Sequence, residues 1–167
     1  MRVPVWLIGV SAVACSANRE FRPLRIGDAA PAYAAATTRG DTITLRALEG
    51  QPVLLNVWAT WCDPCRAEMP GVQRLYAAFA DSGLRVIGVS VDEAGSEAEV
   101  RRFIETYGIQ FTIARDPDQI VARAFRTVGV PETFLVDRHG KIARRWIGAF
   151  DPMSEPVKTA VRKAIRG

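Results

Sequence analysis

The segment VLLNVWATWCDPC, residues 53–65, decides the fold. Its first six residues form an almost continuous apolar run of strand length, which predicts a strand buried on both faces of a sheet. Cys62 and Cys65 follow shortly afterwards, and Pro64 between them suits the first turn of a helix. The segment therefore predicts a buried strand that leads into a helix, with two thiols at the junction.

The cysteine pair has three chemical interpretations. Two thiols one helical turn apart can exchange with a disulfide, the first by attacking it and the second by resolving the mixed disulfide. A structural zinc site usually needs four Cys or His ligands, and the chain offers only Cys15 and His139 besides the pair. An inert disulfide, or a pair of buried thiols, is the third interpretation. The preceding strand and Pro64 favour redox chemistry. We therefore predict no metal site and no cofactor beyond a Cys62–Cys65 disulfide.

The length and charge of the chain predict one globular domain. A chain of 167 residues can bury enough apolar surface to fold alone. Its formal charge of +4 comes from scattered basic residues, without a long run of like charges. We therefore expect a mildly basic monomer with no nucleic-acid partner.

The N-terminal residues have the composition of a secretory signal. Arg2 precedes an apolar stretch over residues 3–14 that is too short to span a bilayer comfortably. The stretch AVAC, ending at Cys15, resembles a bacterial lipobox, whose cysteine becomes lipidated. Cleavage near Ala14 or Ala17, or an uncleaved anchor, are the alternatives. Each of them places the domain outside the cytoplasm, where disulfides persist. We divide the chain into a signal or anchor, a tether with the entry segment, and a domain, over residues 1–17, 18–31 and 32–167.

Hydrophobic periodicity predicts alternating strands and helices along the domain. The strands are expected over residues 42–45, 53–59, 84–91, 111–113, 133–137 and 142–147, and the helices over 64–80, 96–107, 119–125 and 154–165. Ser96 and Glu99 have the spacing of a capping box, and Pro70 is expected to kink its helix. The alternation indicates an α/β protein with a mixed sheet, and the last two strands form a hairpin.

Four segments resemble one known family. The stretches NVWATWCDPCRAEMP (56–70), GVPETFLVD (129–137), GDAAP (27–31) and GQPV (50–53) are similar, in order and in register, to thioredoxin-like proteins of the TlpA/ResA type. The resemblance covers roughly residues 25–166. It implies a thioredoxin-like fold, with a central mixed sheet flanked by helices on both faces. It also implies a membrane-tethered thiol-disulfide reductase of the bacterial envelope.

Cys62 is the predicted nucleophile. Its position at a helix N-terminus exposes the sulfur to free backbone N–H groups, which favour the thiolate. Asp63 works against the thiolate, because a neighbouring carboxylate opposes a second negative charge, and this predicts a more reducing couple. Pro64 stiffens the loop, and Cys65 is the predicted resolving thiol, more buried than Cys62.

Glu68 lies one helical turn beyond Cys65 and has two interpretations. It is either an exposed acid stabilised by the helix dipole, or an acid–base group that exchanges a proton with Cys65 through water. The family resemblance adds weight to the second, because ordinary thioredoxins place a buried aspartate where this chain has Asn56. Asn56 cannot titrate, so Glu68 is the leading substitute.

The segment around Pro131 is the expected docking edge for a client. The resemblance implies a cis bond between Val130 and Pro131, although only about 5–6% of X–Pro bonds are cis. The Val130 backbone would then face an extended client peptide beside Cys62. Glu132 is expected either to contact the client or to be a solvated strand end.

Other residues near the pair have structural interpretations. Trp58 and Trp61 are expected to pack around the site, with a core role favoured over substrate stacking for Trp61. His139 is predicted to be a surface residue of the hairpin turn. We expect the remaining Arg and Glu residues to lie on solvated faces.

The leading functional hypothesis is an extracytoplasmic reductant of client disulfides that is supplied by an upstream membrane electron donor. By resemblance, the clients are apocytochrome c during haem attachment, or a copper-site assembly protein. A thiol peroxidase shares the fold, but its Pro-x-x-x-Thr-x-x-Cys pattern does not precede Cys62. A Cu(I) carrier that uses Cys62 and Cys65 as soft ligands is the non-enzymatic alternative.

Overall fold

A computed structural model describes residues 22–167. The predicted signal segment, Cys15 and the first part of the predicted tether lie outside the described residues. Within residues 22–167, no helix is both long enough and apolar enough to cross a membrane.

Among the residues that the structure describes, seven strands form one mixed sheet. They are β1 (Ala34–Thr37), β2 (Thr42–Thr44), β3 (Val53–Trp58), β4 (Arg85–Ser90), β5 (Thr112–Arg115), β6 (Glu132–Val136) and β7 (Ile142–Ile147). The order across the sheet is β2-β1-β5-β4-β3-β6-β7. Strand β3 lies parallel to β4, and β4 parallel to β5, while the other neighbours are antiparallel. The predicted thioredoxin-like α/β fold is confirmed.

Helices cover both faces of this sheet. They are α1 (Asp63–Phe79), α2 (Glu97–Thr106), α3 (Ile120–Phe125) and α4 (Glu155–Arg166), with a short 3-10 turn at Arg46–Leu48. On one face, Asn56 of β3 bonds to α1, and Trp58 packs on Phe103 of α2 with ring centroids 4.4 Å apart. On the other face, Phe134 of β6 packs on Phe125 of α3, with centroids 5.0 Å apart.

The central strand β3 is buried along its whole length, as its apolar run predicts. Each large apolar side chain removed from water in this way contributes about 1.5–3 kcal/mol. Packing is tight beside it, because a Cβ on Gly88 of β4 would lie 2.6 Å from Ile113 Cδ1. A larger residue there would force the Ile113 side chain, and those of Phe111 and Trp58 beside it, to shift.

Three local predictions need correction. Strand β1 was not predicted, because its sequence AAAT has weak strand propensity and its partner β5 is distant in sequence. The capping box at Ser96 is wrong: Ser96 has ψ near 23° rather than an extended conformation, and its side chain makes no capping bond. Strand β5 begins and ends later than predicted.

Part of the predicted tether has a defined place beside the sheet. The N–H groups of Gly27 and Ala30 donate to the carbonyls of Ile142 and Gly140, and the Ile142 N–H donates to the Asp28 carbonyl. Residues 27–30 therefore extend the edge of the hairpin formed by β6 and β7.

Candidate active site

The cysteine pair lies where β3 passes into α1, as predicted. Cys62 and Cys65 form a disulfide, with Cα atoms 5.2 Å apart. Cys62 is also the N-cap of α1, because its Sγ accepts the Cys65 N–H at 3.2 Å. The sulfur thus occupies the end of the helix where free N–H groups stabilise negative charge. This geometry suits a thiolate at Cys62 in the reduced protein.

The residues around the pair differ in exposure. Cys62 keeps 4% of its surface exposed and Cys65 none, while Asp63 and Pro64 are exposed in the first turn of α1. The predicted core role of Trp61 is wrong, since this side chain is 67% exposed. Trp61 lies in the turn between β3 and α1. Its ring is exposed on the surface next to Cys62 in the chain.

A buried acid that was not predicted anchors this turn. Asp92, 2% exposed, accepts the Thr60 N–H at 3.1 Å and the Thr60 hydroxyl at 2.6 Å. The Ser90 hydroxyl donates to the same carboxylate at 2.8 Å. Asp92 follows β4, whose carboxyl end lies beside that of β3. That position is the signal that identifies it, because the ends of neighbouring parallel strands share one edge of the sheet.

Glu68 is buried, so its interpretation as an exposed acid is wrong. It is only 4% exposed, and its two oxygens accept the Asn56 Nδ2 at 2.8 Å and the Phe150 N–H at 3.2 Å. Burial raises the pKa of the Glu68 carboxyl from 4.5 to about 7, although the hydrogen bonds from Asn56 and Phe150 lower it. A carboxyl of this kind can both accept and release a proton near neutral pH.

Asn56 holds Glu68 against the centre of the sheet. Its Nδ2 group also donates to the Thr133 hydroxyl at 2.8 Å, and Asn56 and Thr133 are paired across β3 and β6. The Asn56 Oδ1 atom is buried and has no partner among residues 22–167. The Asn56 Oδ1 atom can therefore accept a further hydrogen bond next to the Glu68 carboxyl.

The loop before β6 reaches the same end of the sheet. The Val130–Pro131 bond is cis, as the family resemblance implies. Pro131 is buried and Val130 half-buried, and the next residue, Glu132, pairs with Val57 near the end of β3. Within residues 22–167 the Val130 backbone makes no hydrogen bond.

Both interpretations of Glu132 are wrong. Its side chain is fully buried and forms an ion pair with Arg145 of β7, with 2.5 Å between Oε1 and Nε. Arg145 is itself only 9% exposed, so the expectation that the other Arg and Glu residues are solvated also fails here.

His139 is exposed in the hairpin turn, as predicted. In the part of the chain that the structure describes, no three His, Cys, Asp or Glu side chains are grouped as metal ligands.

Sequence comparison gives consistent relatives. Residues 26–145 match the AhpC/TSA family. The thiol-disulfide oxidoreductase ResA of Bacillus thuringiensis (strain Al Hakam) is 33% identical over 151 residues, which cover 88% of this chain and 86% of the relative. ResA of Oceanobacillus iheyensis is 36% identical over 137 residues, or 80% of this chain and 70% of the relative.

Structural comparison agrees with these relatives. The crystal structure named as a putative thiol:disulfide interchange protein DsbE of Chlorobium tepidum has a TM-score of 0.77 and 30% identity, covering 85% of this chain and 99% of that one. In this chain, the disulfide at the N-terminus of α1 is the group that performs dithiol–disulfide exchange. The chain therefore belongs to the AhpC/TSA family and is a ResA-like thiol-disulfide oxidoreductase.

Proposed function

We propose that this oxidoreductase works outside the cytoplasm as a reductant of disulfides in client proteins, with Glu68 handling the proton of Cys65. The observation that carries the mechanism is the buried Glu68 carboxyl, one helical turn beyond Cys65, with its pKa raised to about 7. A dithiol that must lose a proton at neutral pH needs such a group close to its resolving thiol.

The first half of the reaction forms a bond between protein and client. The Cys62 thiolate, stabilised by the N–H groups of the first turn of α1, attacks one sulfur of the client disulfide. A mixed disulfide forms at Cys62, and the second client sulfur leaves as a thiolate that takes a proton from solvent. The Val130 backbone and the exposed Trp61 ring are the surfaces on which the client would rest.

The second half releases the reduced client. Glu68, ionised, takes the proton of Cys65, through water where the two groups are not in contact. The Cys65 thiolate then attacks Cys62 Sγ and closes the disulfide seen in the structure. The client sulfur that was bonded to Cys62 departs as a thiolate and is protonated. Two electrons pass from the protein dithiol to the client, and no further cofactor is required.

Asp63 supports a low reduction potential for the Cys62–Cys65 pair. This carboxylate is exposed immediately after Cys62, where it disfavours a second negative charge and so makes the reduced form less stable. A less stable reduced form gives up its electrons more readily. Pro64 maintains the first turn that presents the Cys62 sulfur.

The proposed setting is the outer face of a bacterial membrane, with an upstream membrane donor of electrons. The signal-like residues 1–17 support it, with Cys15 as the candidate for lipidation. A Cys15→Ser variant would leave the membrane fraction if the thiol carries the lipid, whereas unchanged membrane attachment would exclude lipidation.

The proposed clients are apocytochrome c, before haem attachment, and a copper-site assembly protein. The segments NVWATWC and PETF support the first, because they resemble the cytochrome c maturation branch, whereas VSVDE (89–93) resembles the general branch. Reduction of an oxidised haem-attachment peptide much faster than of an unrelated disulfide peptide would support apocytochrome c. Equal rates would argue for a general reductase.

The mechanism is tested by the pH dependence of client reduction in Glu68→Gln. Wild type should show an inflection near pH 7 that reports the Glu68 carboxyl, and the variant should lose it because an amide does not titrate. Glu105→Gln, an exposed acid on α2, is the matched control and should keep the inflection. An unaltered profile in Glu68→Gln would remove Glu68 from the mechanism.

A further inference from the structure

Glu132 begins β6, immediately after Pro131, and its side chain is fully buried. A carboxylate removed from water is costly unless charged or hydrogen-bonding partners surround it. Its position beside the predicted client-docking edge therefore requires an explanation other than contact with solvent or client.

The two oxygens of Glu132 bind different parts of the chain. Oε1 accepts from Arg145 Nε at 2.5 Å, and Oε2 accepts the Val128 N–H at 2.9 Å. The first contact reaches across to β7, and the second holds the loop between α3 and β6. Glu132 thus connects the loop to the sheet through one side chain.

Arg145 extends these contacts to two further segments. Its Nη1 group donates to the Leu24 carbonyl at 3.2 Å, and its Nη2 group to the Arg126 carbonyl at 3.4 Å. The guanidinium also lies 5.4 Å from the centre of the Phe134 ring. A planar guanidinium presents its donors from three nitrogens in a fixed fork and so reaches these three acceptors at once, whereas a lysine carries its donors on a single nitrogen.

The loop that these contacts hold, residues 126–130, has few other contacts beyond its first two residues. It begins at Arg126 with φ of 52°, a conformation that non-glycine residues rarely adopt. Its Val128 side chain is 57% exposed and Gly129 is exposed. The Arg126 and Thr127 N–H groups both donate to the Ala122 carbonyl, and the Arg126 guanidinium donates to the Arg22 carbonyl at 2.6 Å. Beyond these first two residues, the loop is fixed by the bond from the Val128 N–H to Glu132, which Arg145 holds in place.

We propose that Glu132 and Arg145 are positioning residues that set the conformation of loop 126–130 and thereby the docking of client polypeptides at Val130. The inference rests on the proposed use of Val130 as a client edge. It assigns Glu132 a role exerted through the loop, because its buried side chain cannot touch the client. Loss of the contacts that Glu132 makes with Arg145 and Val128 should weaken binding of polypeptide disulfides and leave the sulfur chemistry of Cys62 intact.

The test compares two substrates in Glu132→Gln. The variant keeps the size of the side chain and removes its charge. KM for a protein disulfide, such as that of insulin, should rise about tenfold or more, which is the loss expected for a hydrogen bond to a charged group. The rate with oxidised glutathione, whose two tripeptides are too short to pair along an extended docking edge, should stay within about twofold of wild type. Hydrogen exchange of the Val128 amide should accelerate.

Glu155→Gln is the matched control, because Glu155 is an ion-paired acid on the exposed face of α4. This variant should change neither KM for the protein disulfide nor the rate with oxidised glutathione. Equal losses with both substrates, or no loss with either, would overturn the proposal. Should Glu132→Gln not fold, Arg145→Lys is the second variant, because it keeps the charge pair but cannot reach Leu24 and Arg126 together. It should likewise raise KM for the protein disulfide and leave the rate with oxidised glutathione unchanged. A wild-type protein that reduces neither substrate would instead contradict the proposed reductase function.

Discussion

Replacing Glu68 by glutamine should change how the stability of the oxidised protein depends on pH. Burial raises the pKa of Glu68 from 4.5 to about 7 in the folded protein, so the folded state holds this proton more tightly than the unfolded state. The stability that this proton contributes is then fully present below pH 4.5. It falls as the pH rises towards about 7, and the full loss persists above that pH. The amide of the variant carries no such proton and should not show this loss.

The magnitude follows from the difference between the two pKa values. One pKa unit corresponds to about 1.4 kcal/mol, so a rise from 4.5 to about 7 costs about 3 kcal/mol of unfolding free energy at alkaline pH. The variant side chain should fit the site, because its oxygen can accept the Phe150 N–H. The Asn56 amide can rotate so that its unpartnered Oδ1 accepts from the new amide.

The assay is urea unfolding of wild type and variant between pH 5 and pH 9, with the disulfide intact. The free energy of unfolding of Glu68→Gln relative to wild type should increase by up to about 3 kcal/mol from pH 5 to pH 9. Glu105→Gln controls for the loss of an acid at an exposed position of α2. Parallel curves for Glu68→Gln and wild type would refute the raised pKa, and with it the proton-handling role.

Two further predictions concern the same site. Cys65→Ser should accumulate mixed disulfides with clients, because the remaining Cys62 can attack but nothing resolves the bond; trapping by Cys62→Ser, detected on non-reducing gels, would reverse the assigned roles. Asn56→Asp should place two carboxyls within hydrogen-bonding distance, so that they share a proton and the inflection of the pH–rate profile moves above pH 7. Gln73→Glu, which adds a charge on the outer part of α1, should leave the inflection in place, and an unmoved inflection in Asn56→Asp would contradict the shared proton.

The features that the sequence predicts well are local. The apolar run at 53–58, Pro64 and the cysteine spacing specify a strand, a helix start and a reactive pair within a few residues, and the structure has all three. The hairpin of β6 and β7 is similarly local. Each of these elements is determined by contacts between residues that are close in the chain, which periodicity and turn chemistry report directly.

Most features that the sequence does not predict depend on partners distant in the chain. Glu132 is the exception: it was expected at the surface because an isolated Glu is usually exposed, and the predicted hairpin does not by itself indicate that Arg145 pairs with it. Asp92 reaches Thr60 only because β4 lies next to β3. The burial of Glu68 depends on the Phe150 loop, which closes over α1 from the other end of the chain.

The reduction potential of the Cys62–Cys65 pair tests the central claim most directly. Equilibration of the purified protein with a graded dithiothreitol buffer, read from the fraction of free thiols, would give the value. A reductant of client disulfides should lie near or below the thioredoxin value of about −270 mV. A potential near that of DsbA, about −120 mV, would identify an oxidant and contradict the proposed function.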